Sequence, residues 1–314
     1  MNKFTISASP HIHSPVDTTF MMRGVIKALL PAVIAGVYFF RMYAVGVLAA
    51  SIAGCVITEW LLRKTRRQEA SLKDSSALLT GMLLALVLPP ALPLWMAFLG
   101  GVVSIALGKE VFGGLGKNVF NPALLGRAFL MAAFPVALTT WTRPVSLDAV
   151  TTATPLGLAK FEHAVTPYAQ LFLGNVGGCI GETSALALIL GILYLLYHKI
   201  IDWRVPAAYI GTVALFSGVA WAAAPQLYAP PLFHILAGGL LIGAGFMATD
   251  PVTTPVTAKG RWVFGAGCGL ITMTIRLWGG LPEGVMYSIL CMNAVTPLIN
   301  RYTRPRRYGG SNGG

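Results

Sequence analysis

The side chains with the types and spacing to do chemistry are one threonine-rich stretch, three isolated acids and one arginine set in apolar sequence. The stretch Asp148-Ala149-Val150-Thr151-Thr152-Ala153-Thr154-Pro155-Leu156 puts three threonines between an acid and a proline. A hydroxyl that is to be esterified by a phosphate needs accessibility, small neighbours and a nearby acid to hold a metal or orient the oxygen. Ala153 and Asp148 meet those needs. Composition alone reads the stretch as a threonine-rich turn ahead of a proline and does not show such an ester. Asp74, Glu110 and Asp250 stand at the ends of apolar runs, where ionisable groups are costly and often functional. On the topology derived below, all three lie on the side where an ion could enter. Glu110 could instead pair with Lys109 or Lys117, and Asp250 could cap the turn at Pro251. Arg127 falls inside an apolar run, with a ligand phosphate, an acid or a backbone carbonyl as its candidate partners. Cys55, Cys179, Cys268 and Cys291 are far apart with no C-x-x-C. An iron–sulfur or zinc site built by this chain alone is not expected. His11 and His13 lie in a proline-rich leader, and His234 stands alone in an apolar run, with no ligand spacing.

The elements that must position these groups are membrane helices. Apolar residues make up 55% of the chain and charged residues 11%, with mean hydropathy +0.70, against about 25% charged residues in soluble domains. A spanning helix needs roughly 20 mostly apolar residues, about 17 at the low end. Ten candidates read as 24–40, 43–62, 76–90, 92–108, 121–138, 183–200, 206–224, 231–248, 262–278 and 282–299. The third ends in Pro89-Pro90. The eighth is glycine-rich and runs into Asp250-Pro251. Both read either as broken helices, which in membranes line sites or sit against protein, or as plain helix ends terminated by proline. LLTGMLLALVLPP in the third and LLIGAGFMATDP in the eighth echo each other. Five spans per half is odd, so such a repeat must be inverted. The expected fold class is therefore an all-α polytopic membrane protein of about ten helices in two inverted five-helix repeats.

Basic residues set the orientation, because cytoplasmic loops are enriched in Lys and Arg. With the N-terminus placed in the cytoplasm, 18 of the 23 Lys and Arg fall on that side and four on the other, and Arg127 lies within a span. The net charge of +12 sits in short gaps between apolar runs rather than on one basic face. Anionic lipid, not nucleic acid, is the partner this implies. The expected organisation is a cytoplasmic leader 1–22, a first half 23–138, a periplasmic loop 139–182, a second half 183–300 and a basic cytoplasmic tail 301–314. The expected location is the bacterial inner membrane.

The stretch Gly108-Lys109-Glu110-Val111-Phe112-Gly113-Gly114-Leu115-Gly116-Lys117-Asn118-Val119-Phe120-Asn121-Pro122-Ala123-Leu124 resembles the fingerprint of one membrane redox family. That family contains the B subunit of the sodium-pumping NADH:quinone reductase and the D subunit of the Rnf complex. The loop DAVTTATPL is similar to the family's flavinylation motif D-x-x-[ST]-x-A-T, whose last threonine carries FMN. The resemblance implies covalent FMN on Thr154, with Asp148, Thr151 and Ala153 recognised by a flavin transferase. Thr152 stands where the motif commonly has Gly. The short loops and the SASPHIHSP leader resemble the Rnf member more closely.

The same resemblance implies a non-covalent riboflavin near Asn118 and Asn121. These residues are three apart and would share one face of a helix. Helix capping by Asn121 before Pro122 is the alternative reading. It also implies electron transfer within an ion-translocating (Na⁺ or H⁺) ferredoxin:NAD oxidoreductase. The implied partners are a periplasmic FMN-bearing subunit and further membrane and cytoplasmic redox subunits, since no NAD or ferredoxin site is visible here. A channel or transporter for a small neutral solute or ammonium fits inverted repeats with broken helices as well. Flavin bound to the chain separates the two.

Overall fold

The computed structural model describes residues 17–66, 74–142, 144 and 153–305. Among these residues every regular element is helical. The first helical run, α1 (Thr18–Thr65), is 48 residues long and is broken at Arg41, whose φ of 51° and ψ of −132° are not helical. A straight helix of that length would extend about 72 Å. Instead its two ends meet. Met22, near the start, lines the same cavity as Lys109, and Lys109 bonds Glu59 near the end. The run is thus a helical hairpin whose limbs are the expected spans 24–40 and 43–62. Asp17 caps its start, its carboxylate accepting from the Thr18 N–H.

The first limb runs antiparallel to α8 (Ala185–Tyr197), with Gly24 against Ile200, Ala28 against Gly191 and Gly36 against Ile180. The second limb lies along α3 (Leu94–Ile105), where Gly54 meets the Phe98 carbonyl and Gly101 meets Ser51 and Cys55. Such contacts leave no room for a Cβ, which is how small residues let membrane helices approach. α4 (Pro122–Ala133) seats Gly126 against Gly100 and Ser104 of α3. In the later half, α9 (Arg204–Ala223) receives Gly265 and Gly269 of α12 (Ala258–Trp278) in the same manner, and α13 (Val285–Tyr302) packs Met292 over Gly267.

Two expected spans are broken as read. α2 (Ser76–Leu86) stops before Pro89, and the carbonyls of Leu86 and Leu88 accept from the N–H groups of Gly181 and Ile180. The span expected at 231–248 divides into α10 (Pro231–Leu236), a turn at Gly238 with φ 70°, and α11 (Leu240–Ile242) running into a π turn, Gly243–Met247. Backbone polar groups freed by a break in an apolar interior must find protein partners, and those freed at the first break find them in the segment ahead of α8.

That pairing corrects one boundary. The expected loop 139–182 is not surface loop throughout. It holds α6 (Pro155–Gly157), a π turn Leu158–Glu162 and α7 (Tyr168–Leu173), and residues 178–182 are buried. The span expected at 121–138 is likewise divided at Phe134, between α4 and α5 (Pro135–Leu138). Thr18–Thr65 and Arg204–Ala223 are, by length and composition, long and apolar enough to cross a membrane. Large apolar side chains such as Ile34, Met42, Leu215 and Val219 stand exposed on them.

Candidate functional site

The chemistry-bearing residues gather around two cavities. The larger, about 400 Å³, is lined by Arg127, Trp141, Ala153, Thr154, Phe161, Glu283 and Tyr287, among others. Its volume falls within the roughly 300–1,000 Å³ of small-molecule sites. Thr154 is the N-cap of α6, with extended backbone, and its Oγ1 accepts from the Gly157 N–H at 3.1 Å. Pro155 follows at the first helical position, where a missing N–H costs nothing. The Thr154 oxygen thus acts as acceptor, and its own O–H is not required by the cap. Lys160, three residues beyond α6, donates to the carbonyls of Ile275 and Leu281, both at 3.0 Å, and to that of Gly279. These carbonyls sit at the C-terminal end of α12, the end that favours a cation. The threonine's turn is thereby tethered to α12. Asp148 and Thr151 lie outside the described residues.

Arg127 comes from α4 and is buried. Its guanidinium reaches Glu283 Oε2 at 3.2 Å, Glu182 Oε1 at 3.8 Å and Cys179 Sγ at 3.6 Å. Of the partners the sequence left open, acids are the ones found. Glu283 Oε1 also accepts from the Gly239 N–H at the α10–α11 break. Arg276 of α12 donates to the carbonyls of His234 and Ala237, closing α10. His234 is buried, as a core histidine would be.

The smaller cavity, about 70 Å³, is lined by Ser76, Lys109, Asn118, Asn121, Thr249 and Asp250, with apolar residues between. Asn118 and Asn121 do not share a helical face, because residues 111–121 lie outside any helix, with Gly113, Gly114 and Gly116 all at positive φ. Asn121 caps α4, its Oδ1 accepting from Ala123 and Leu124 N–H, while Nδ2 donates to the Met247 carbonyl. Its backbone N–H donates to Asn293 Oδ1. Asn118 Nδ2 donates to the Phe120 carbonyl.

Beside this cavity lies a charge network. α3 continues as a π turn, Ala106–Glu110, which sends two successive charged side chains to separate partners. Lys109 bonds both oxygens of Glu59 and Ser76 Oγ. Glu110 faces Arg63 at 3.5 Å and Arg66 at 3.3 Å, rather than Lys109 or Lys117. Asp74 accepts from the Ser76 N–H and hydroxyl. Asp250 accepts from the Thr253 hydroxyl, a local turn bond. Asp74 and Glu110 are joined through Arg63, and Asp250 stands across the cavity.

The sequence did not single out Glu59, Lys109, Glu182, Glu283 or Arg276 as site residues. One signal was present for Glu59 and Glu283: each is the lone acid within an expected span, and intramembrane acids are functional candidates by default.

An all-helical protein with apolar exposed helices, helix breaks closed by protein and ion pairs in its interior is the class these features define. The chain belongs to the NQR2, RnfD, RnfE family, whose model matches residues 5–309. It is 46% identical to the D subunit of the proton-translocating ferredoxin:NAD(+) oxidoreductase complex of Clostridium ljungdahlii, over 98% of this chain and 97% of that one. It is 46% identical to the D subunit of the Na(+)-translocating ferredoxin:NAD(+) oxidoreductase complex of Acetobacterium woodii, over 97% and 95%. It is 41% identical to the D subunit of the ion-translocating oxidoreductase complex of Stutzerimonas stutzeri, over 95% and 93%. The first two relatives are equally similar and are named for different ions, so overall identity does not assign the ion.

Proposed function

We propose that this chain is the electron-carrying membrane subunit of an ion-translocating ferredoxin:NAD oxidoreductase, bearing FMN as a phosphoester on Thr154. The observation that carries the reading is Thr154 on the wall of a 400 Å³ cavity that also presents Arg127, Trp141, Phe161 and Tyr287. The residues fit the group. Aromatic and apolar side chains can pack against a flat ring system, and the hydroxyl can exchange its hydrogen for phosphorus while its oxygen still accepts from Gly157. Flavin, when bound, accepts one or two electrons, and the protein supplies position and electrostatics. Lys160 holds the threonine's turn in place. Arg127, held by Glu182 and Glu283, presents a fixed positive charge to the cavity. Asp148, Thr151 and Ala153 are the proposed recognition positions for a flavin transferase, which supplies the activated flavin nucleotide.

A non-covalent riboflavin beside Asn118 and Asn121 belongs to the same proposal, under a condition. At about 70 Å³ that cavity is below the size of small-molecule sites, and Asn121 is committed to capping α4. A ring there requires the cavity to widen. Asp74, Glu110 and Asp250 remain the proposed ion path, with the Glu59–Lys109 pair beside them.

The proposed topology is ten spans in two inverted halves, with both termini cytoplasmic, in the inner membrane. The hairpin in α1, the two helix breaks and the matching glycine contacts of α3 and α12 support it. The proposed partners are the other subunits of such a complex, including one that bears its own FMN, together with membrane lipid. The test is in-gel fluorescence of the denatured chain co-produced with a flavin transferase. A flavin band that Thr154→Ala abolishes is the expected result. A colourless chain overturns the reading and favours a solute transporter.

A further inference from the structure

The α10–α11 break, the segment ahead of α8 and the segment ahead of α13 bring two carboxylates to one point. A Cβ added at Gly239 would lie 2.7 Å from Glu283 Oε1 and 2.9 Å from Glu182 Oε1. Only a glycine leaves space for both oxygens there. Among the described residues, four charged or titratable groups surround the pair. Arg127 of α4 is within 4 Å of both carboxylates. Cys179 lies on the same segment as Glu182 and is buried. Arg276 of α12 approaches Gly238 but spends its two terminal nitrogens on the His234 and Ala237 carbonyls of α10. His234 is buried behind it, and its Nδ1 has no hydrogen-bond partner.

Two carboxylates therefore share one guanidinium. The sharing is unequal. Glu283 takes a hydrogen bond from Arg127 and another from the Gly239 N–H. Glu182 is over nine-tenths buried; Cys179 hydrogen-bonds its carboxylate, but among the described residues its Oε1 has no hydrogen-bond partner, and Arg127 stands at 3.8 Å, beyond hydrogen-bond reach. A buried carboxylate oxygen facing a second carboxylate without a donor is costly, and like carboxylates sharing a site keep a proton between them.

We propose that Glu182 and Glu283 hold one exchangeable proton between their Oε1 atoms, and that it communicates with the Thr154 cavity through Glu283, which lines that cavity. The proton adds to one Oε1 and is hydrogen-bonded by the other, and it leaves to water in the cavity with no change in oxidation state. The site does not depend on flavin being present, so it survives if the flavin reading fails.

The test is infrared spectroscopy of the full chain, produced without flavin transferase and reconstituted in lipid at neutral pH. The expected result is a neutral-carboxyl C=O band that shifts in D₂O and is lost in both E182Q and E283Q, since either change leaves the remaining acid ionised against Arg127. A band that survives in both variants overturns the proposal. A band lost in only one variant places the proton on a single residue and overturns the sharing. Should a variant fail to fold, the unmodified chain still decides: no neutral-carboxyl band at neutral pH contradicts the site outright.

Discussion

Lys109 Nζ lies 2.9 Å from Glu59 Oε2, with both side chains sealed from solvent and their positions fifty residues apart in the chain. The pair joins the π turn after α3 to the second limb of α1. Its strength is asymmetric, because Glu59 is also paired with Arg63 at 2.5 Å, whereas the other bond of Lys109 is to the Ser76 hydroxyl.

Glu59→Gln should therefore cost more than Lys109→Met. The first strands a buried ammonium, a loss of roughly 3–5 kcal/mol for a broken buried pair. The second leaves Glu59 with Arg63. Thermal unfolding in detergent, followed by tryptophan fluorescence, gives the order. Equal losses, or a larger loss in Lys109→Met, would contradict the geometry.

Gly54 and Gly211 make opposite predictions from the same substitution. A Cβ at Gly54 would sit 2.3 Å from the Phe98 carbonyl oxygen, while one at Gly211 meets nothing within 4 Å. Gly54→Ala should push α3 away from α1 and lower the melting temperature by several degrees. Gly211→Ala, in the interior of α9, should stabilise by about 0.4–1 kcal/mol. Calorimetry or fluorescence melting of the two variants checks both signs.

Lys160→Met removes the tether between the Thr154 turn and the end of α12. Hydrogen bonds to a charged group contribute about 1.5–3 kcal/mol, so the turn should open far more often. Limited proteolysis should then cut near residues 155–162 several-fold faster, while melting of the whole protein changes little. Unchanged cleavage would mean the tether does not hold the turn.

Asp202, between α8 and α9, gives a pH dependence. Partial burial pushes its carboxyl up, but the Arg204 backbone N–H and the guanidinium of Arg261 outweigh burial and hold it below the usual carboxylate range. A lowered folded value contributes stability that is complete above the unfolded value of about 3.9. That stability is lost as pH falls through the folded value. Asp202→Asn should lower stability at neutral pH and flatten the acid limb of the melting-temperature profile below about pH 4.

The reversal at Arg41 was legible because a single basic residue separates two apolar runs of spanning length. The breaks before Pro89 and at Gly238 were legible because proline and glycine act locally. Arg127 was recognised as buried, but not its partners, since Glu182 and Glu283 are brought to it by long-range packing that no local pattern encodes. The burial of residues 178–182 was missed for a similar reason. Its small and polar residues read as loop, and only the free carbonyls of Leu86 and Leu88 explain why the segment goes inside. Asn118 and Asn121 would share a face only in a helix, and three glycines at positive φ turn the chain just ahead of them instead; the alternative reading, Asn121 as the cap before Pro122, is the one found.

The central claim concerns Thr154, and mass spectrometry addresses it most directly. Trypsin should release residues 128–160 as one peptide, because Pro144 protects Arg143 from cleavage. From protein co-produced with a flavin transferase, that peptide should carry the mass of FMN less one water, localised by fragmentation to Thr154 and absent from Thr154→Ala. The unmodified peptide, recovered alone under the same conditions, would contradict the account.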